Sequence, residues 1–182
     1  VTPKPQAGNP RPRVFRLVED EAVINRMGFP SQGMSKVAGR MSKVGNRRSV
    51  IVGVNLGKNK DTPLEEAARD YVELMKVFAP RADYLTINIS SPNTIGLRRL
   101  QNREMLENLL GHINLERETW NLKLPILVKI SPDLSDEELD DAIGVILDKK
   151  MDGIIATNTT LSREGVRSNL KGETGGLSGG PL

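Results

Sequence analysis

Between residues 49 and 160, short apolar runs alternate with longer amphipathic stretches. SVIVGVNLG (49–57), DYLTINIS (83–90), LPILVKIS (124–131) and DGIIATNTT (152–160) are brief and rich in Val, Ile and Leu, and each closes on polar residues. Runs of that length and apolar continuity predict strands buried on both faces of a parallel sheet. The stretches between them predict helices. The first begins at Asp61-Thr62-Pro63, with Thr62 as N-cap, Pro63 in the first turn and Glu65 completing a capping box. It runs to about Phe78, where Pro80 stops it. The second spans about Asn102 to Glu118. The third is capped by Ser135 and places Leu139, Ile143 and Ile146 on one face.

Ahead of this alternation the pattern differs. Residues 1–16 contain Pro3, Pro5, Pro10 and Pro12 and predict an extended loop or hairpin edge. Asp20 to Met27 predicts a short helix. In 31–49, Met34, Val37, Ala38, Met41 and Val44 recur at helical spacing between Gly33 and Gly45. This is a surface helix with a basic outer side.

Strand, helix, strand, helix with short links is the signature of an α/β fold. The strands end in Asn55, Asn88, Lys129 and Thr157 with Asn158. In a parallel sheet all these carboxyl ends lie on one edge, where barrels and doubly wound sheets bind ligands. No G-x-G-x-x-G follows any strand, which disfavours a dinucleotide fold. Strand ends that carry side chains rather than glycine loops favour a (β/α)8 TIM barrel. A full barrel takes about 250 residues and eight strands, so four β/α units are roughly its middle. The expectation is one partial barrel domain over 1–182, with no internal boundary and both ends truncated.

Composition narrows the partners more than the fold. The 182 residues are 37% hydrophobic and 27% charged, a globular balance with room for one core. A net charge of +3 from scattered Lys and Arg, with only 3% aromatics, leaves few platforms for stacking bases, so no nucleic-acid partner is expected. There is no cysteine, which excludes disulfides, thiolate metal sites and cysteine nucleophiles. No histidine–carboxylate spacing suggests a metal. No apolar run approaches the about 18 residues of a membrane span, and nothing reads as a signal peptide.

The candidate chemistry gathers at the strand ends. Lys129 closes an apolar strand, where a buried lysine needs an anionic partner or a lowered pKa. It suits a Schiff base, a cofactor contact or a salt bridge. Gly176 to Gly180 match G-x-S-x-G, but no apolar strand leads into them, and the one histidine, His112, sits in a polar helix as a surface residue. Those glycines better suit close approach of backbone to a ligand, such as a phosphate. Asp136 to Asp141 suit the solvated first turns of a helix. NISSPNTIGLR (88–98) carries more amides and hydroxyls than a turn requires; Arg98 and Arg99 in it read as surface charges. Asn at several strand ends suggests a planar, hydrogen-bond-rich ligand.

NRMGF (25–29), GVNLGKNKDT (53–62), NISSPNTIGLR (88–98), VKISPDLS (128–135), ATNTT (156–160), ETGGLSGGPL (173–182) and VTPKPQAGNPRPR (1–13) together resemble class 2 dihydroorotate dehydrogenases. These are the quinone-dependent flavoenzymes of pyrimidine synthesis. The resemblance implies a (β/α)8 barrel with FMN, oxidation of dihydroorotate to orotate, and a quinone as electron acceptor. It implies Ser91 as the catalytic base, where class 1 relatives carry cysteine. It implies FMN contacts from Asn55, Asn88, Lys129, Thr157 and Gly179. Substrate contacts are implied for Asn25, Arg26, Met27, Gly28, Phe29, Asn88, Asn93, Asn158 and Thr159. It also implies a membrane surface reached through an N-terminal segment outside 1–182. That surface is the cytoplasmic side of a bacterial cell membrane or, alternatively, the mitochondrial inner membrane. The first two and last two barrel strands, the FMN phosphate site and a substrate lysine of the family also fall outside, so these residues alone are expected to be inactive. A serine is a weak base without a histidine, and Ser90 and Thr94 are candidates to relay its proton. The alternatives are a Schiff-base lyase or aldolase barrel using Lys129, and a non-catalytic fragment.

Overall fold

The computed structural model describes residues 1–44, 50–93 and 96–182. The expected strand start at Ser49, the Gly45 helix stop and the Thr94 hydroxyl lie outside the described residues.

The chain opens with an antiparallel hairpin, β1 (Val14–Leu17) and β2 (Ala22–Asn25), followed by α1 (Met34–Val44). It continues through β3 (Gly53–Leu56), α2 (Ala67–Phe78), β4 (Tyr84–Asn88), α3 (Arg103–Thr119), β5 (Ile126–Lys129), α4 (Asp136–Asp148) and β6 (Gly153–Ile155). A last strand, β7 (Gly176–Gly179), pairs antiparallel with β2.

The strands β3-β4-β5-β6 form one parallel sheet in sequence order. Right-handed crossovers between strands that never reverse order put every helix on the same face. Accordingly α1 packs on α2, α2 on α3 and α3 on α4 in a single row. Helices on one face only are the geometry of a (β/α) barrel wall; a doubly wound sheet has them on both. The helix-facing residues Val54, Leu56, Leu85, Ile87, Ile126 and Val128 are buried against Tyr71, Leu74 and Phe78 of α2, Leu106 and Leu110 of α3, and Val145 of α4. The alternate residues, Asn55, Thr86, Asn88, Leu127 and Lys129, share the opposite, inward face.

Three local expectations change. Asp20–Met27 is not a helix: Ala22–Asn25 is β2, the middle strand of the antiparallel sheet β1-β2-β7. Its alternation of buried Ala22 and Ile24 with half-buried Val23 and Asn25 has the period of a strand, and two neighbours supply its ladder. Second, Thr62 does not cap α2. Its hydroxyl donates to the buried Asp70 carboxylate at 2.7 Å, and a 3-10 turn over Leu64–Glu66 precedes the helix. Asp70 also accepts the Asn59 N–H at 2.9 Å. A buried carboxylate needs such donors more than an exposed helix start does. Third, a strand does occupy Gly176–Gly179. By contrast Ser135 forms the expected capping box, with Ser135 N–H donating to Glu138 at 2.9 Å and Glu138 N–H to the Ser135 hydroxyl at 3.2 Å. Asn102 caps α3.

Candidate functional site

The antiparallel sheet meets the parallel sheet at the latter's carboxyl ends. Just past β6, Thr160 pairs with Leu177 of β7, and Asn93, past β4, donates its amide to the carbonyl of Asn25 at the end of β2, at 3.0 Å. A site therefore forms between two sheets that sequence order keeps far apart.

Asn88 is its buried centre. The Tyr71 phenol, wholly buried in α2, donates to the Asn88 carbonyl at 2.8 Å. Burial pushes that phenol well above its usual range, so it remains a donor. The Asn88 side-chain oxygen accepts the Ser90 N–H and hydroxyl, both at 3.3 Å. Asn158 donates its amide to the Ser90 hydroxyl at 3.0 Å and accepts the Thr159 N–H at 2.9 Å. Ser90 is thus engaged on both sides by amides. Ser91 is buried to 8% exposure, and no described residue hydrogen-bonds its hydroxyl. The Thr157 hydroxyl donates to the Asn158 carbonyl at 2.9 Å, and the Ala156–Thr157 peptide is cis.

Lys129 stands beside Asn88 in the β4–β5 ladder, on the inward face. It is half-buried and has no carboxylate partner among the described residues, so the burial that would demand one is incomplete. Asn55 shares that face one layer below, opposite Thr86, with its side chain open.

The 25–29 segment crosses above β3. Gly28 and Phe29 have φ of +70° and +53°, and a Cβ at Gly57 would come within 2.7 Å of the Phe29 ring. That ring therefore lies against the end of β3. The Asn25 side-chain oxygen accepts the Met27 N–H at 3.4 Å and the Asn93 amide at 3.3 Å. The Arg26 guanidinium is engaged by Glu173 at 2.7 Å and stacks on the Phe15 ring, 4.4 Å from its centroid.

Asn25, Asn88, Ser91, Asn93, Asn158 and Thr159 come together, and Lys129 borders them. Gly179 stands apart at the far end of β7, where a Cβ would overlap the Glu21 carbonyl. The nearer glycine is Gly176: a Cβ there would overlap the Thr159 hydroxyl and lie 3.0 Å from Pro92. The glycines of this segment thus admit the backbone to neighbouring protein.

Two further residues belong to this site: Arg98, which the sequence left on the surface, and Asp133, to which it gave no role of its own. Arg98 donates to the Ser90 carbonyl at 3.2 Å and the Thr159 carbonyl at 3.0 Å, and pairs with Asp133 at 2.6 Å. Burial pushes the Asp133 carboxyl up, but the Thr160 hydroxyl, the Leu161 N–H and Arg98 outweigh it and hold the group below its ordinary range. No periodicity marks either residue. His112 is exposed, as expected. Among the described residues no cluster of His, Cys, Asp and Glu suits a metal, and no helix is long and apolar enough to cross a membrane.

Comparison with known proteins gives this arrangement a lineage. The chain is 53% identical over its whole length to a dihydroorotate dehydrogenase (quinone) of Roseiflexus sp. strain RS-1, covering 50% of that protein. It is 51% identical to a mitochondrial dihydroorotate dehydrogenase (quinone) of Cyclocybe aegerita, covering 56% of it. The chain spans about half the length of the curated relatives it matches. A crystal structure of DHODH from Eimeria tenella in complex with ferulenol superposes with a TM-score of 0.93 at 45% identity, over 100% of this chain and 55% of that one. Those neighbours are TIM barrels, and the four-stranded parallel sheet with its helices is the matching part of one. The sequence model of the dihydroorotate dehydrogenase family matches residues 1–182, and the chain belongs to that family.

Proposed function

We propose that the whole protein oxidises dihydroorotate to orotate in de novo pyrimidine synthesis, with FMN as cofactor and a quinone as final acceptor. The observation that carries this reading is the convergence of Asn88, Ser91, Asn93 and Asn158 at the carboxyl edge of a barrel wall. Amides already oriented by one another suit a flat ligand whose edge alternates N–H and C=O groups. The names of the relatives, dihydroorotate dehydrogenase (quinone), agree with it. The lyase alternative gains no support from the family assignment.

The residues fit a flavin. Asn88 offers a buried amide and Lys129 a cation on the inward face, with Asn55 below them and Thr157 on the next strand end. These four would hold FMN; Gly179, exposed at the far end of β7, would meet only a part of FMN remote from them. When bound, FMN supplies the acceptor for the hydride that leaves C6 of the substrate. Ser91 takes the C5 proton. Asn25, Asn93, Asn158 and Thr159, with Asn88, orient the pyrimidine ring and its carboxylate, and Arg26 to Phe29 close over it. Lys129 stabilises negative charge that develops beside it. The Ser90 hydroxyl donates to Asn88 and accepts from Asn158, so the Ser91 proton leaves through water or through this hydrogen-bonded hydroxyl.

Residues 1–182 act as one part of a single FMN-binding barrel domain. The whole protein works at a membrane surface, on the cytoplasmic side in a bacterium or at the mitochondrial inner membrane in a eukaryote, without a nucleic-acid partner. The test is the visible spectrum of the purified whole protein and its bleaching by dihydroorotate. Ser91→Ala should keep the flavin spectrum and lose bleaching; turnover that survives the substitution removes Ser91 from the role of base.

A further inference from the structure

The one guanidinium of Arg98 reaches three loops. It lies in the 3-10 turn Leu97–Gln101 that follows the β4 loop. Nε donates to the Ser90 carbonyl at 3.2 Å, the last acceptor before Ser91. Nη2 donates to the Thr159 carbonyl at 3.0 Å, beyond β6. Nη1 pairs with Asp133 at 2.6 Å, beyond β5. Asp133 then accepts the Thr160 hydroxyl and the Leu161 N–H, the latter at 2.9 Å, which ties the β6 loop a second time.

A planar fork with five donors in fixed directions can hold three acceptors at once; an ammonium on a flexible stem cannot hold the same geometry. The two carbonyls belong to the segments that carry Ser91 and the Asn158–Thr159 pair. The side chain of Arg98 is 22% exposed, so its contacts are partly shielded from water and salt.

We propose that Arg98, held by Asp133, is a positioning residue that fixes Ser91 relative to Asn158 and Thr159 by clamping the carboxyl-end loops of β4, β5 and β6. Its catalytic consequence rests on the reading of Ser91 as the base. Arg98 itself touches neither proton nor hydride. Misplacing a reacting group by about 1 Å costs about 100-fold in rate, which sets the size of the effect.

The test uses the whole flavin-loaded protein and compares wild type with Arg98→Ala, Arg98→Lys and Arg99→Ala. Arg99 is the exposed neighbour and controls for loss of charge. Two quantities are read: the single-turnover rate of flavin reduction per bound flavin, and amide hydrogen exchange in 88–93 and 158–161. Arg98→Ala should reduce its flavin about 100-fold more slowly and exchange faster in both segments. Arg98→Lys should recover only part of the rate, and free guanidinium should restore the Ala variant. Arg99→Ala should match wild type in both readouts. Unchanged exchange in the two segments, or a rate per flavin within about threefold of wild type, overturns the proposal. If Arg98→Ala does not fold, Arg98→Lys is judged by the same two readouts. If dihydroorotate fails to bleach the wild type, the dehydrogenase reading falls. The clamp is then decided by exchange alone, where faster exchange supports it and unchanged exchange overturns it.

Discussion

Gly176 shows how tightly single residues are fitted at this site. Its missing side chain lets β7 pass against the Thr159 hydroxyl and within reach of Pro92. Gly176→Ala therefore forces either β7 or the 157–160 loop to move. Overpacking of this kind costs about 1–3 kcal/mol, measurable as a lowered melting temperature. Because Thr159 is the residue displaced, orotate should also bind more weakly to the variant; unchanged affinity would mean Thr159 is not at the substrate. The sequence singled out this glycine as part of a motif. It took the tertiary contact to show that the space is filled by protein.

At the scale of elements, local chemistry is uneven. α4 starts with a complete capping box, and Ser135→Ala should lower stability by about 1 kcal/mol in chemical denaturation. Within the same helix a Cβ at Gly144 would meet no atom within 4 Å. Gly144→Ala should therefore raise stability by about 0.5–1 kcal/mol, through the entropy of the unfolded chain and helix propensity alone. A loss of stability there would reveal a contact the helix face does not show. α2 has no side-chain cap, since Thr62 serves Asp70. That choice anchors the β3–α2 loop, where Lys58 is also buried and donates to the carbonyls of Asn59 at 3.0 Å and Thr62 at 2.7 Å. Burial pulls the Lys58 pKa down, against the opposing pull of Asp70 and Asp61.

Over the whole molecule, two carboxylates tie distant segments and make the fold acid-sensitive. Asp20, in the β1–β2 turn, accepts the N–H groups of Arg167 at 2.9 Å and Ser168 at 3.0 Å. The Arg167 N–H leads in holding its carboxyl below the ordinary range, and burial only partly opposes this. Asp133 is held low as well. A group with a depressed folded pKa contributes its stability above the unfolded value of about 3.9 and loses it as pH falls through the folded value. Stability should thus be level near neutrality and fall below about pH 4, and Asp20→Asn should flatten that acid limb in melting curves taken from pH 7 to pH 3. Among the described residues β3 and β6 each have one unpaired edge. These 182 residues on their own should therefore self-associate with rising concentration in size-exclusion chromatography.

The alternation of apolar runs with amphipathic stretches was enough to determine the strands β3 to β6, the helices between them and the shared edge at which Asn88, Lys129 and Asn158 meet. Those features depend on side-chain period and strand direction, which are written locally. β2 was misread because four residues carry too little period to tell a strand from a helical turn; two pairing neighbours, remote in sequence, decide it. The Thr62 cap was misread because a buried carboxylate eight residues on competes for the same hydroxyl. Arg98 looked like a surface charge, and Asp133 was given no role of its own, because their partners, Ser90, Thr159 and Thr160, approach only when three loops fold over one edge. Local pattern settled the wall of the barrel. Long-range hydrogen bonds, which no window of sequence contains, decided how the loops after β4, β5 and β6 are drawn together over its edge.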